Sequence, residues 1–319
     1  MKQKILWNTL MKAIYVSAAS VQALKRDVVG IQLFNSEDSQ FSGLTSDVFV
    51  KQIHSHNDYW RDVPLITALS YGVQSVEADI WNFRRSNNDD DELYVGHNLN
   101  ALTRDRTLDS LYLNPLYEIL EEHNPRPSRT VGKLAEKLPS GVFETDIHAT
   151  LYFFIDFKTE GNALFNKVAA ALERFKHRDW LSYYDVEKDE FVWRPLTVIG
   201  TGDTPLESVL NMRQRFIFFD GPLGQLNNFQ GHSITSNISP IASASLRMLV
   251  GKSTIEGLNE KQLHKLSSMI SDAHNRNIKT RVWDTPWWPV SREQKVWKQL
   301  LDIGSDFLNA DDLELAVQL

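Results

Sequence analysis

Three histidines, three carboxylates and a lysine stand in this chain at spacings that could support acid–base chemistry around a cation. His54 and His56 lie in "KQIHSHNDYW" (51–60), and Glu77 and Asp79 in "SVEADIW" (75–81). His97 ends "ELYVGH" (92–97), and Asp156 and Lys158 lie in "LYFFIDFKTEG" (151–161). Residues two apart in a strand project from the same face. Glu77 and Asp79 therefore share a side, and so do Asp156 and Lys158. Carboxylates buried about 5–7 Å apart repel one another unless a cation neutralises them.

Glu77, Asp79 and Asp156 would supply three hard oxygen ligands to one divalent ion, Mg2+ or Ca2+. The chain has no cysteine, which excludes thiolate metal sites, disulfides and a cysteine nucleophile. A bound divalent ion acts as a Lewis acid on a phosphoryl oxygen. His56 and His97 would flank the phosphorus, one as general base and one as general acid. Lys158 would neutralise negative charge developing on the phosphate. The expected reaction is cleavage of a phosphodiester. His54 shares a face with His56 and is expected beside the site. Trp283 in "KTRVWDTPWW" (279–288) and Asn309 in "GSDFLNADD" (304–312) stand at later strand ends.

These groups need a scaffold that gathers strand ends. Apolar, β-rich runs at 49–54, 74–80, 151–157, 195–200, 215–220, 233–238, 279–283 and 305–309 read as strands. Amphipathic stretches at 62–71, 108–122, 161–176, 204–213, 258–276 and 291–302 read as helices between them. Alternation of this kind implies parallel pairing with right-handed crossovers. Eight strands in roughly 270 residues predict an α/β fold of the (β/α)8 TIM-barrel type, with its site at the C-terminal strand ends. The acidic run Ser86–Glu92 reads as a solvated hairpin tip.

The formal net charge of −7 and pI near 5.7 argue against a nucleic-acid surface. The first 26 residues carry five Lys or Arg and no acid, and are too polar to span a bilayer. They read as a transit peptide, a poor signal peptide or a surface helix. Residues 1–45 are thus expected as a separate N-terminal segment, mitochondrial targeting being one reading, and 46–319 as the barrel.

The combination "SHNDYW…ALSYGVQSVEADIW…LYVGH" resembles the catalytic region of PLC-like phosphodiesterases. "FFIDFKT" resembles the corresponding strand of sphingomyelinase D and glycerophosphodiester phosphodiesterases. The whole pattern is most similar to the fungal altered inheritance of mitochondria protein 6 family. The resemblance implies His56 and His97 as the catalytic pair, and Glu77, Asp79 and Asp156 as metal ligands. It implies Asn57 as a metal or phosphate contact, Lys158 and Trp283 as phosphate and pocket residues, and Asn309 as a pocket residue. It also implies attack by a neighbouring substrate hydroxyl. His56-Asn57-Asp58 replaces the usual His-Arg-Gly of glycerophosphodiesterases, which sets their substrates apart.

The expectation is a metal-dependent phosphodiesterase acting on a small or lipid-linked phosphodiester. A barrel without catalysis, serving as a ligand-binding or scaffold protein in a mitochondrial or membrane context, is the alternative. Hydrolysis of phosphomonoesters ranks behind it, because two flanking histidines suit a leaving alkoxide.

Overall fold

Runs rich in β-branched and aromatic residues form parallel strands about a common axis in the computed structural model, which describes residues 41, 43–83, 92–125 and 138–319. They are β1 (Lys51–Ser55), β2 (Val73–Trp81), β3 (Leu151–Phe157), β4 (Leu196–Gly202), β5 (Ile217–Phe219), β6 (Gly221–Pro222), β7 (Ile241–Ser245), β8 (Lys279–Trp283) and β9 (Phe307–Ala310). Hydrogen bonding runs in the order β6-β7-β8-β9-β1-β2-β3-β4-β5. Only Asp220 separates β5 from β6 in the chain. The two are halves of one interrupted strand, and continuous backbone closes the ring. The Asp220 amide holds the break by donating to Gly200 O in β4 (2.9 Å). The architecture is the expected (β/α)8 barrel.

Helices follow the strands: α1 (Ile66–Ser70), α2 (Asn114–His123), α3 (Gly161–Lys176), α4 (Leu206–Leu210), α5 (Leu246–Val250), α6 (Glu260–His274), α7 (Val290–Asp302) and α8 (Leu313–Ala316). The Glu160 carboxylate caps α3, accepting from the Asn162 and Ala163 amides (3.0 and 2.8 Å). Residues 223–240, between β6 and β7, hold no helix.

The strand expected at 233–238 lies in that connection and is not a strand. Buried Ile234 and Ile238 imitate a strand pattern, but the Ile238 and Ser239 amides both donate to Thr235 O, which closes a turn. The sixth strand is instead β7, "IASAS". Its Ala and Ser are weak strand formers, and pairing with β6 and β8 holds them extended. A side sheet of Tyr183–Asp185, Glu190–Val192 and Gln214–Arg215 also escaped the sequence reading. The expected hairpin tip before Glu92, and the N-terminal segment up to residue 40, lie outside the described residues.

Strand parity sorts the side chains. Val76, Ala78, Ile80, Phe153, Ile155 and Val198 face outward into the layer beneath the helices. Tyr152, Phe154, Ile199, Phe218, Ile241 and Phe307 fill the barrel, and Tyr184 of the side sheet joins them. Toward the C-terminal strand ends the interior turns from aromatic to charged. Glu77 sits opposite Phe154, and Asp79 opposite Asp156. No helix among the described residues is long and apolar enough to cross a membrane.

Candidate active site

β2 and β3 present Glu77, Asp79 and Asp156 at the mouth of the barrel, with one oxygen from each lying within 4.8 Å of the others. Lys158, one position past β3, reaches back so that its Nζ lies 2.7 Å from Asp156 Oδ2 and 3.0 Å from Asp79 Oδ2. The carboxylates and the lysine share the C-terminal end because their spacing of two keeps them on the inward face.

Below them runs a buried network that the sequence reading missed. Arg281 of β8 stacks its guanidinium over the Phe154 ring, 4.5 Å from the centroid. It donates to His54 Nε2 (2.6 Å), Ser243 Oγ (2.9 Å) and Asn309 Oδ1 (3.3 Å). It also pairs with Asp220 Oδ2 (3.4 Å) and Glu77 Oε1 (3.9 Å). A guanidinium can only donate, so His54 Nε2 must be a bare acceptor, and Nδ1–H donates to Ser75 Oγ (2.7 Å). Burial and the Arg281 charge hold His54 down to about 3, leaving it neutral. Its lone pair is occupied, so it braces the site and has no free nitrogen for proton transfer. Burial works against ionising Glu77, but the charge of Arg281 holds it well below the usual carboxylate range.

Four carboxylates (Glu77, Asp79, Asp156, Asp220) thus face two fixed cations, Lys158 and Arg281. The shortfall of two charges equals the charge of one divalent ion. It registers in Asp79, which burial and then the Glu77 and Asp156 charges push up to about 7 despite Lys158. The donor set is all hard oxygen and suits Mg2+ or Ca2+.

The histidines flank this cluster. His56, in the turn after β1, donates Nδ1–H to Asp311 Oδ1 (2.9 Å), which also accepts from Asn57 Nδ2 (3.1 Å). Burial opposes protonation of His56, but the Asp311 hydrogen bond and the Glu77 and Asp311 charges raise its pKa overall. Asn57 adopts a left-handed conformation (φ 47°) and donates its backbone N–H to Glu77 Oε2 (3.1 Å). Tyr59 links the two sides. Its hydroxyl lies 2.7 Å from both Asn57 Oδ1 and Asp79 Oδ2, and 3.1 Å from His97 Nδ1. His97 is carried by the short strand Tyr94–Val95, which pairs antiparallel with the end of β2. With Nδ1 turned to Tyr59, its Nε2 is left for a ligand. Trp60 packs edge-on against the His97 ring at 5.3 Å, beside a cavity of about 250 Å³.

Nine of the ten sequence-derived candidates are therefore joined by direct contacts or one shared partner: His54, His56, Asn57, Glu77, Asp79, His97, Asp156, Lys158 and Asn309. Trp283 stands apart at the end of β8, about a third exposed, and among the described residues no polar or ring contact ties it to the cluster. Sequence reasoning passed over Tyr59, Arg281, Asp220 and Asp311. Each carried a signal: Tyr59 directly follows the His-Ser-His-Asn-Asp motif, Arg281 is two positions before Trp283, Asp220 ends "FIFFD", and Asp311 is two positions after Asn309.

Comparison with known proteins bears on the fold and the family. Residues 42–220 match the family model of the AIM6-like phosphodiesterase domain. The chain is 39% identical to the altered inheritance of mitochondria protein 6 homolog of Arthroderma benhamiae, covering 99% of each. It is 37% identical to altered inheritance of mitochondria protein 6 of Eremothecium gossypii, over 86% of this chain and 71% of that protein. Among solved structures it resembles a calcium-dependent phosphoinositol-specific phospholipase C from a Pseudomonas species. That match has a TM-score of 0.50 at 11% identity, covering 82% of this chain and 88% of that one, and it speaks for a shared fold. With a barrel of this kind and a family match across more than half of its length, the chain belongs to the AIM6-like phosphodiesterase domain family.

Proposed function

We propose that this protein cleaves a phosphodiester by paired imidazole acid–base chemistry with the help of one divalent cation. The observation that carries the proposal is the oxygen cluster of Glu77, Asp79 and Asp156, which with Asp220 is short of two positive charges and is flanked by His56 and His97. Those three side chains would hold the ion, with Asn57 beside them, and the ion would supply Lewis-acid polarisation of a phosphoryl oxygen.

The chain's own groups divide the remaining work. Asp311 fixes the His56 tautomer, so Nε2 is the free base that takes the proton from the attacking hydroxyl or water. His97, half exposed at the mouth, protonates the leaving alkoxide. Lys158 offsets negative charge on the phosphoryl oxygens. Phe154 and the aromatic layer beneath it keep water out from below, which strengthens every charge interaction above.

The test is a screen of glycerophosphodiesters, lysophospholipids and phosphoinositides with Mg2+, Ca2+ or chelator. The structural neighbour's calcium dependence is the reason to include Ca2+. Turnover that chelator abolishes is expected. No turnover of any diester under any cation would leave the non-catalytic barrel as the better reading.

Two expectations follow for the cation. Asp79 must lose its proton to become a ligand, and its pKa lies near 7. Below that pH a proton competes for the site and affinity falls; above it affinity levels off. Calorimetric titration of Ca2+ should show binding about tenfold weaker at pH 6 than at pH 8. The other expectation concerns Gly202, at φ +64°, where an added Cβ would lie 2.0 Å from Asp156 Oδ1 and 2.8 Å from Phe157 O. Gly202→Ala should displace the Asp156 carboxylate and weaken cation binding about 10–100-fold. An unchanged dissociation constant would remove Asp156 from the ligand set.

A further inference from the structure

The loops that follow β7 and β8 expose an unusual amount of apolar surface. Met248 in α5 is 86% exposed, Trp287 77%, Trp288 64%, Ile255 59% and Val290 42%. All five lie at the C-terminal end of the barrel, beside the mouth that holds the acidic cluster. Isolated exposed apolar residues are ordinary; a group of them on adjoining loops marks a contact surface.

These side chains are held out by polar bracing. Asp284 accepts from Ser245 Oγ (2.7 Å) and pairs with Arg247 (3.6 Å), tying the loop after β8 to the start of α5. Arg292 donates to Ser253 O (2.6 Å) and Oγ (3.0 Å), and Lys295 pairs with Glu256 (3.0 Å), tying α7 to the loop before α6. From within, Thr285 Oγ1 accepts from Trp297 Nε1 (3.3 Å). The loop is anchored on both sides of its exposed tryptophans.

Charge selects the partner. Residues 246–265 and 283–298 carry seven Lys or Arg against four Asp or Glu, whereas the whole chain carries 34 against 41. The apolar loops therefore sit in a locally basic region of an acidic protein. Tryptophan favours the boundary between lipid headgroups and acyl chains, and nearby cations favour anionic headgroups.

We propose that this rim docks the barrel mouth onto an anionic lipid bilayer, with Trp287 and Trp288 entering the headgroup boundary. The proposal deepens the phosphodiesterase reading, on which it rests for the choice of substrate class. Docking would present a lipid-borne phosphodiester to the site without removing it from the membrane.

The test is co-sedimentation of the full chain, in chelator, with vesicles of phosphatidylcholine alone or mixed with phosphatidylserine. Wild type should bind the mixed vesicles more tightly, and added salt should weaken that binding. The double variant Trp287→Ser, Trp288→Ser should bind at least about tenfold less well, with an unchanged circular dichroism spectrum. It should hydrolyse a water-soluble diester at the wild-type rate. Equal partitioning of variant and wild type, or no sedimentation of wild type with either vesicle, would overturn the proposal. So would a dimer that the double variant dissolves in gel filtration, since the rim would then belong to a second copy. Vesicle binding is read without turnover, so a failure of the catalytic reading would be seen separately.

Discussion

Alanine at His56 or at His97 is expected to lower kcat on a phosphodiester by about 10²–10⁴-fold, with little change in thermal midpoint. Both rings are partly exposed, so truncation opens no buried cavity. The contrasting variant is His54→Ala. That ring is wholly buried between Arg281 and Ser75, and its loss takes a hydrogen bond from each. It should cost stability first and activity only as a consequence.

The pH profile separates a base from a structural histidine. His56 must be neutral to accept a proton, and Asp311 raises its pKa above the ordinary 6.5. The acidic limb of kcat/KM should therefore lie above 6.5. Asp311→Asn removes the negative charge and should move that limb to lower pH, while also lowering kcat through a less well oriented ring. A limb that stays in place in Asp311→Asn would deny His56 the role of base. Full activity in either alanine variant would end the acid–base assignment.

Arg281→Met should be among the most destabilising single substitutions in the barrel, by about 3–5 kcal/mol. The guanidinium is almost fully buried and is the cation nearest both Glu77 and Asp220 in the network below the mouth. Without it two carboxylates remain in a low-dielectric interior, and Asp220, whose pKa burial already raises, would take up a proton. A loss on the order of 10 °C in thermal midpoint follows for a domain of this size. The same variant probes the cation site. With one fixed positive charge gone, Ca2+ should restore more of the midpoint than it adds to wild type, because binding to the folded state alone stabilises it. Equal calcium shifts in both proteins would mean that Arg281 and the ion do not share one electrostatic field.

Much of the barrel was legible because strand and helix periodicity are local. β3, β8 and α3 fall on the residues that hydrophobic pattern predicted, and "IASAS" did not, since its extended form depends on two neighbouring strands. The site divides along the same line. That Glu77 and Asp79 share a face, and Asp156 and Lys158 another, follows from a side-chain period of two within one strand. Which of those faces meet is a matter of register between strands distant in sequence. His54 meets Arg281 across 227 residues, and His56 meets Asp311 across 255.

The sequence by itself therefore determined the chemical groups, their strand-end placement and the family. Only the closed ring decided that His54 is an occupied acceptor, that Arg281 offsets Glu77 and Asp220, and that Asp311 backs His56. The physical reason is that parity is a property of a few consecutive residues, whereas charge balance in a barrel interior is summed over every strand that reaches it.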